Sequence, residues 1–458
     1  MKFRSKIKTW LGILSISFII GVYLLHILNV RFWNVGRGVI TWDTISYYAY
    51  LPATFIYHDL SFEIIKEDPE YFNNKIWLEK TEEGNKIVKT SMGLAILYSP
   101  FFFIADTVAE NSEFEETGYS IPYHASLAFS GIFYLVFGFF FLWKILRRYF
   151  TEIPSALTLL VIGLATNLFS YATLHGTMPH AFNFTLTAMF AWYTIRWYEK
   201  QSLGYTLVLG LLAGLITLIR PTNFVVLLIF PLFGINNLKA ANSRITFLLR
   251  KWYHLLVILF IILLVWTPQM IYWKEYTGHF LYFSYGSDER FFWTQPMIWK
   301  GLFGFRKGWF IYTPVMIFAV FGLFKMLNAK RDWKIPVITI TILSLYIMLS
   351  WWCWWYGGGI SLRPIIDYYP LLAIPLAGFI SYLLTSNKIK KIILSGILSL
   401  TILLGIYHSV QYYYGAIHWD SMTWEAYKHS FGKVKGSQEL PKYLEEPDYE
   451  KAKLSRNE

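Results

Sequence analysis

The sequence predicts an all-α polytopic membrane protein with about eleven transmembrane helices. Three observations carry that expectation. Of 458 residues, 55% are hydrophobic and only 15% charged, against about 25% charged in an ordinary soluble domain. Aromatic residues reach 20%, with 20 Trp and 33 Tyr, side chains that gather where apolar surface meets water. Apolar runs near the roughly 20 residues needed to cross a bilayer recur along the whole chain. The net charge of +12 would suggest nucleic acid in a soluble protein. Here it fits Lys and Arg held on the cytoplasmic side of a membrane, and no nucleic-acid partner is expected. The single cysteine, Cys353, excludes an internal disulfide framework.

Taken in order, the chain starts with Lys2, Arg4, Lys6 and Lys8, followed by an apolar run from Trp10 to Val30. That run is too long for a signal-peptide core and lacks a small-residue cleavage site, so it reads as an uncleaved first span. Spans are expected at 9–30, 122–145, 154–174, 181–198, 203–219, 222–236, 252–273, 309–327, 335–352, 364–385 and 392–410. The shortest, 222–236, is marginal. The stretch from Met92 to Ala109 contains Pro100 and Asp106 and runs into Glu110, Glu113, Glu115 and Glu116. If it crossed, Lys144, Arg147 and Arg148 would fall outside, so an interfacial or re-entrant segment on the outer face is expected.

Charge tests this topology. The expected inner segments, Lys2–Lys8, Lys144–Glu152, Arg196–Lys200, Lys239–Lys251, Lys325–Lys334 and Lys388–Lys391, hold 20 basic residues against 3 acidic. The bias has the sign of the positive-inside rule with the N-terminus in the cytoplasm. Residues 1–410 then form one transmembrane domain with two long outer loops, 31–91 and 274–307, and 411–458 form a short polar tail on the outer side. There is no internal repeat, low-complexity tract or nucleotide-binding glycine motif.

The stretch Trp42-Asp43-Thr44-Ile45-Ser46-Tyr47-Tyr48 sets one carboxylate among aromatic residues just beyond the first span. From Ile45 onward Ile45, Tyr48, Ala49, Leu51, Phe55 and Ile56 can share a face, as in an amphipathic helix lying on the membrane surface. Asp43 or Thr44 could cap that helix. Asp43 could also take a proton from a hydroxyl, which needs a fixed, partly desolvated carboxylate. The two roles are compatible. His175 and His180 flank Pro179 in a turn between spans; a metal pair, a hydrogen-bonding role towards a substrate and simple interface packing all stay open.

Arg220, in Arg220-Pro221-Thr222-Asn223, stands at membrane depth, where arginine is paired, functional or snorkelling to the interface. Arg363 has Asp367 four residues on, the spacing of an internal helical ion pair. Arg290, Arg306 and Lys307 fall on the outer side against the charge trend, which suits a phosphate or lipid headgroups. Trp355 lies in the aromatic run Trp354-Trp355-Tyr356 before Gly357-Gly358-Gly359, a turn signal. Asp420, after His418-Trp419 in the tail, is the next acidic candidate.

Several of these motifs occur in a familiar order. The first-loop aspartate, the histidine turn, Leu218-Ile219-Arg220-Pro221-Thr222, Gly308-Trp309-Phe310-Ile311-Tyr312-Thr313-Pro314, Trp354-Trp355-Tyr356-Gly357-Gly358 and Arg363-Pro364-Ile365-Ile366-Asp367 together resemble the GT-C class of membrane glycosyltransferases. The likeness extends over about residues 9–410 and is strongest to the bacterial branch related to protein O-mannosyltransferases and lipid A aminoarabinose transferases.

The resemblance implies a GT-C-like fold and transfer of a sugar from a polyprenyl-phosphate donor to a lipid, glycan or protein acceptor, at the outer face of the bacterial plasma membrane. It maps the catalytic base onto Asp43. Phosphate binding would fall to Arg220, Arg290, Arg306, Lys307 and Arg363, and acceptor or sugar contact to His175, His180, Tyr47, Tyr48 and Trp355. Many relatives carry a second acid beside the aspartate, whereas this chain has Trp42 and Thr44. No metal ligand and no cofactor are assigned, and a divalent metal stays open. The alternative reading is a transporter or flippase of an isoprenoid-linked or other amphiphilic anion, for which repeated halves would be expected; none is found.

Overall fold

The computed structural model describes residues 10–34, 36, 38–81, 84–326 and 331–455. The basic cluster Lys2–Lys8 and residues 327–330 of the Lys325–Lys334 loop lie outside the described residues. The expected apolar runs fold as helices: α1 (Trp10–Val30), α2 (Asp43–Tyr48), α3 (Tyr50–Phe55), α4 (Gly93–Glu110), α5 (Ile121–Tyr149), α6 (Glu152–Leu164), α7 (Leu168–Thr173), α8 (Pro179–Glu199) and α9 (Leu203–Ile219). After a 3-10 segment at Pro221–Leu228 follow α10 (Leu238–Arg250), α11 (Trp252–Thr277), α12 (Ile317–Met326), α13 (Arg331–Ser350), α14 (Tyr369–Thr385) and α15 (Lys388–Tyr413). The chain is an all-α polytopic membrane protein. Among the described residues seven helices are long and apolar enough to cross a bilayer.

Several expected spans are broken, each beside a residue that disturbs the helical hydrogen-bond ladder. The run 154–174 splits into α6 and α7, 222–236 is 3-10 helix as far as Leu228 and then a single α-turn at Ile229–Leu232, and Pro314 opens a 3-10 turn ahead of α12. Prolines 100, 268, 336 and 375 stay inside helices, which neighbouring helices tolerate in a membrane bundle. Close approaches hold the bundle together without a hydrophobic driving force. A Cβ at Gly322 would overlap the Pro375 carbonyl, and one at Gly405 the Ala165 carbonyl.

The bundle has two unlike ends. At one, Leu11 N–H donates to Glu152 at 2.8 Å, Arg148 pairs with Glu199, and Gly234 N–H donates to Asp332 O at 3.0 Å. The basic segments Lys144–Glu152, Arg196–Lys200, Lys239–Lys251 and Lys388–Lys391 all belong to this basic end. At the other end lie Asp43, the 175–180 turn, Arg220, the 278–307 loop, Arg363 and the tail.

One expectation about the first long loop changes. α2 and α3 do not lie on the surface with one apolar face. Thr44, Ile45, Ser46, Tyr47, Tyr48, Tyr50, Leu51 and Ala53 are all buried, because the 111–120 loop closes over them: Tyr48 and Tyr57 donate to the Gly118 and Thr117 carbonyls at 2.6 and 2.9 Å. The same loop also carries a short antiparallel pair, β1 (Leu78–Lys80) with β2 (Lys86–Val88). α4 is long and apolar enough to cross. Its start nevertheless packs on the end of α9, where Ser91 donates to Leu218 O, and its Asp106 accepts from Tyr123 at the start of α5 at 2.5 Å. Both of its ends thus meet segments near the site end.

Single cysteines introduced at Lys66, Lys239 and Lys433 in a Cys353→Ser background test this arrangement in intact cells or sealed vesicles. Lys66→Cys and Lys433→Cys should react with an impermeant maleimide from one side, and Lys239→Cys only from the other. Labelling of positions 433 and 239 from the same side would refute the two-ended bundle.

Candidate active site

At the site end a cavity of about 520 Å³ is walled by segments far apart in the chain. Asp43, Tyr47, Lys89, His180, Arg220, Tyr285, Glu289, Tyr356, Arg363 and Tyr449 of the tail all line it.

Asp43 is the first residue of α2. Trp42 before it has a positive φ of 54° and makes no side-chain cap; such a backbone is uncommon outside glycine. Thr44 Oγ1 meets Thr177 Oγ1 at 3.0 Å. Neither Asp43 nor Thr44 therefore caps the helix through its side chain. Instead, Asp43 Oδ2 accepts from Arg363 Nη2 at 2.7 Å, leaving Oδ1 to the cavity. The Asp43 side chain is 47% exposed and that of Arg363 16%. A pair this open contributes at most about 1 kcal/mol, so its main effect is to fix direction.

The Arg363–Asp367 helical pair expected from spacing does not form. Residues Arg363–Tyr368 are 3-10 helix, whose three residues per turn put positions i and i+4 on different faces. Asp367 is fully buried and gathers four donors instead. His180 Nδ1 stands 2.8 Å from its Oδ1; Asn183, Asn223 and Arg220 reach its Oδ2 at 3.1, 2.8 and 3.4 Å. His180 and Asn183 share one face of α8 at i,i+3. Tyr368 OH donates to Asn223 Oδ1 at 3.0 Å. Arg220 is thus paired rather than snorkelling.

The structure brings together Asp43, Tyr47, His180, Arg220 and Arg363, and places the other candidates elsewhere. His175 is tied to Tyr412 OH at 2.8 Å; burial and then the Arg363 and Lys307 charges push its pKa down to about 4, leaving a neutral ring behind the cavity. Tyr48 is spent on the 111–120 loop. Arg290 is exposed, 4.9 Å over the Phe292 ring. Arg306 donates to the carbonyls of Asp420 at 3.3 Å and Glu445 at 3.2 Å.

Lys307 is buried and donates to the Gly359 and Trp419 carbonyls. Burial, then the nearby Arg363, pushes its pKa down to about 7. Trp355 packs against Tyr449, 5.4 Å between ring centres. Arg306, Lys307 and Trp355 therefore fasten the tail onto the bundle, and Asp420 belongs to the same seam, with Tyr449 OH 3.3 Å from its Oδ2.

Sequence reasoning missed Lys89, whose ammonium lies 2.6 Å from Glu289 and 3.3 Å from Glu79, joining the two long loops across the cavity. It also missed the tail's Tyr449 and the Asn183–Asn223 pair. The signal for the asparagines was present: each lies three residues beyond a candidate, His180 or Arg220, in an apolar context. Around Asp43 the donor set is one carboxylate flanked by Trp42 and a Thr44 hydroxyl already engaged. Among the described residues no three His, Cys, Asp or Glu side chains group to hold a metal ion. These residues do not fit a metal site.

Residues 124–273 match the family model described as dolichyl-phosphate-mannose-protein mannosyltransferase, 150 of the 458 residues. This match supports a membrane glycosyltransferase of the GT-C class. The matched segment of this GT-C-like chain runs from α5 to α11 and contains His180, Asn183, Arg220 and Asn223, the donors around Asp367; Asp43 and Arg363 lie outside it. No curated protein matches the chain. Among solved structures, it is similar to the Archaeoglobus fulgidus oligosaccharyltransferase crystallised with Zn and sulfate, at 14% identity and a TM-score of 0.48. That alignment covers 95% of this chain and 59% of the other, so the chain spans well under two thirds of that protein's length.

Two outcomes follow. Asp367→Ala strips four donors of a buried partner and should cost about 3–5 kcal/mol, read as a large fall in the thermal midpoint of the purified protein; Asp43→Asn should change that midpoint little. Lys307 supplies a pH test. Its folded pKa near 7 lies below the unfolded lysine value of about 10.4, so the unfolded form binds more protons between the two and docking should strengthen as pH rises through that window. Limited proteolysis of the tail should slow from pH 7 to 9.5, and Lys307→Met should flatten the trend.

Proposed function

We propose that the protein transfers a sugar from a polyprenyl-phosphate donor to an acceptor hydroxyl or similar group at the outer face of a bacterial plasma membrane. The observation that carries this reading is the Asp43–Arg363 pair in a cavity also lined by Arg220. A base and two fixed cations in one cavity are what displacement of a phosphate from an anomeric carbon requires. Asp43 Oδ1 takes the acceptor's proton. The acceptor oxygen forms a bond to the anomeric carbon as the bond from that carbon to the phosphate oxygen breaks, with inversion. The phosphate leaves with the electron pair, and Arg363 and Arg220 stabilise its charge; preorganised charge of this kind is usually the largest catalytic contribution.

In this reading His180 and Asp367 hold Arg220 in place, and Tyr47 and Tyr356 offer hydroxyls for the sugar. Nothing in the site calls for a nucleotide or cofactor; the lipid-linked sugar phosphate is the donor substrate. A transporter would use the same arginines but would have no need of a carboxylate directed at the cavity.

Purified protein incubated with labelled polyprenyl-phosphate sugars tests the reading through loss of the label from the donor. Asp43→Asn should reduce turnover on the order of a hundred-fold or more while donor binding persists. Arg220→Ala and Arg363→Ala should each weaken donor use by about 1.5–3 kcal/mol. Arg306→Ala, which removes contacts to the tail and to the Trp355 ring but none to the cavity lining, should leave donor affinity unchanged. Near-normal turnover by Asp43→Asn would overturn the assignment.

A further inference from the structure

A second site lies away from the cavity. Of the residues α15 buries, Leu398, Gly405, His408, Ser409 and Gln411, none belongs to its first ten. This first part, Lys388 to Ile397, is mostly exposed and touches the core through Leu394, while α12 and α14 are drawn together at Gly322 and Pro375. The space left between α15 and that pair is a groove of about 740 Å³. The stacked rings of Phe318 and Phe379, 4.5 Å between centres, line it together with Phe321, Ile393 and Ile397.

At its basic end stands Lys390, the one charged residue of the lining among the described residues, with Lys388 and Lys391 beside it in sequence. No acidic residue occurs between Glu289 and Asp332, or between Asp367 and Asp420, so the segments that supply the walls offer this cluster no carboxylate. An apolar slot between spanning helices is filled by hydrocarbon in a bilayer, since an empty one forfeits its packing contacts. Lysines at its mouth attract a negative headgroup, and the stem of Lys390 can follow the apolar wall.

We infer that this groove is a binding site for an anionic glycerophospholipid of the leaflet at the basic end, with an acyl chain between α12, α14 and α15 and its phosphate at Lys390. The site is independent of the glycosyl-transfer reading, because it opens at the end of the bundle opposite the Asp43 cavity.

Native mass spectrometry of the full chain released from nanodiscs is the test, with 1-palmitoyl-2-oleoyl-phosphatidylglycerol and the matching phosphatidylcholine as probes. The wild type should retain one phosphatidylglycerol in preference to phosphatidylcholine by about fivefold. Lys390→Gln should remove the preference, and Ile397→Trp, which fills the groove, should lower retention of both lipids. Size-exclusion profiles and melting of the variants confirm folding, and Lys390→Gln, on an exposed helix start, preserves the fold if Ile397→Trp does not. Equal retention of the two lipids by the wild type, or retention unchanged in Lys390→Gln, would mean annular lipid only and overturn the site. So would a dimer whose interface covers Ile397, since a second copy would then fill the groove.

Discussion

A carboxylate sealed inside a membrane bundle must be matched by donors on every side, and the site end of this protein is arranged around that requirement at Asp367. An unpaired charge there would be prohibitive. The four partners come from α8, the end of α9 and the 3-10 segment after it. Satisfying one buried carboxylate therefore fixes where three segments meet. It also sets the position of Arg220, whose guanidinium reaches Asp367 while lining the cavity.

The second charge pair has the opposite character. Asp43 and Arg363 meet at the cavity wall with the Asp43 carboxylate half open to solvent, where an ion pair contributes little to stability. In the proposed reading, their weak mutual hold leaves Arg363 able to turn towards the donor's phosphate. A phosphate could draw Arg363 away at small cost, whereas Asp367 could not give up its partners without unfolding its surroundings. The two acids thus divide the work, one holding the wall and the other left available for chemistry.

Much of this was legible in the sequence. Helices could be read because apolar runs of bilayer length have few other uses, and Asp43, His180, Arg220 and Arg363 because polar groups at the ends of such runs are costly unless employed. Other features were hidden for physical reasons. Arg363 and Asp367 have helical-pair spacing, and only the 3-10 geometry turns them apart. Arg306 and Lys307 look like anion seekers, yet their partners are backbone carbonyls of the tail and of Gly359, a chemistry every residue carries and no sequence advertises. The tail itself shows no membrane-length apolar run, because it is held by such bonds together with scattered buried apolar residues, among them Ile417, Met422, Ala426 and Leu440.

The tail also bears on how the protein is made. Asp43 is synthesised long before Tyr449, yet both border the same cavity. A ribosome that has delivered α15 has still not delivered the Tyr449 wall, and Lys307 waits for the Trp419 carbonyl until the tail follows. Closure of this pocket therefore depends on the segment after α15: a chain that stopped at the end of α15 would lack the Tyr449 wall and present an open site.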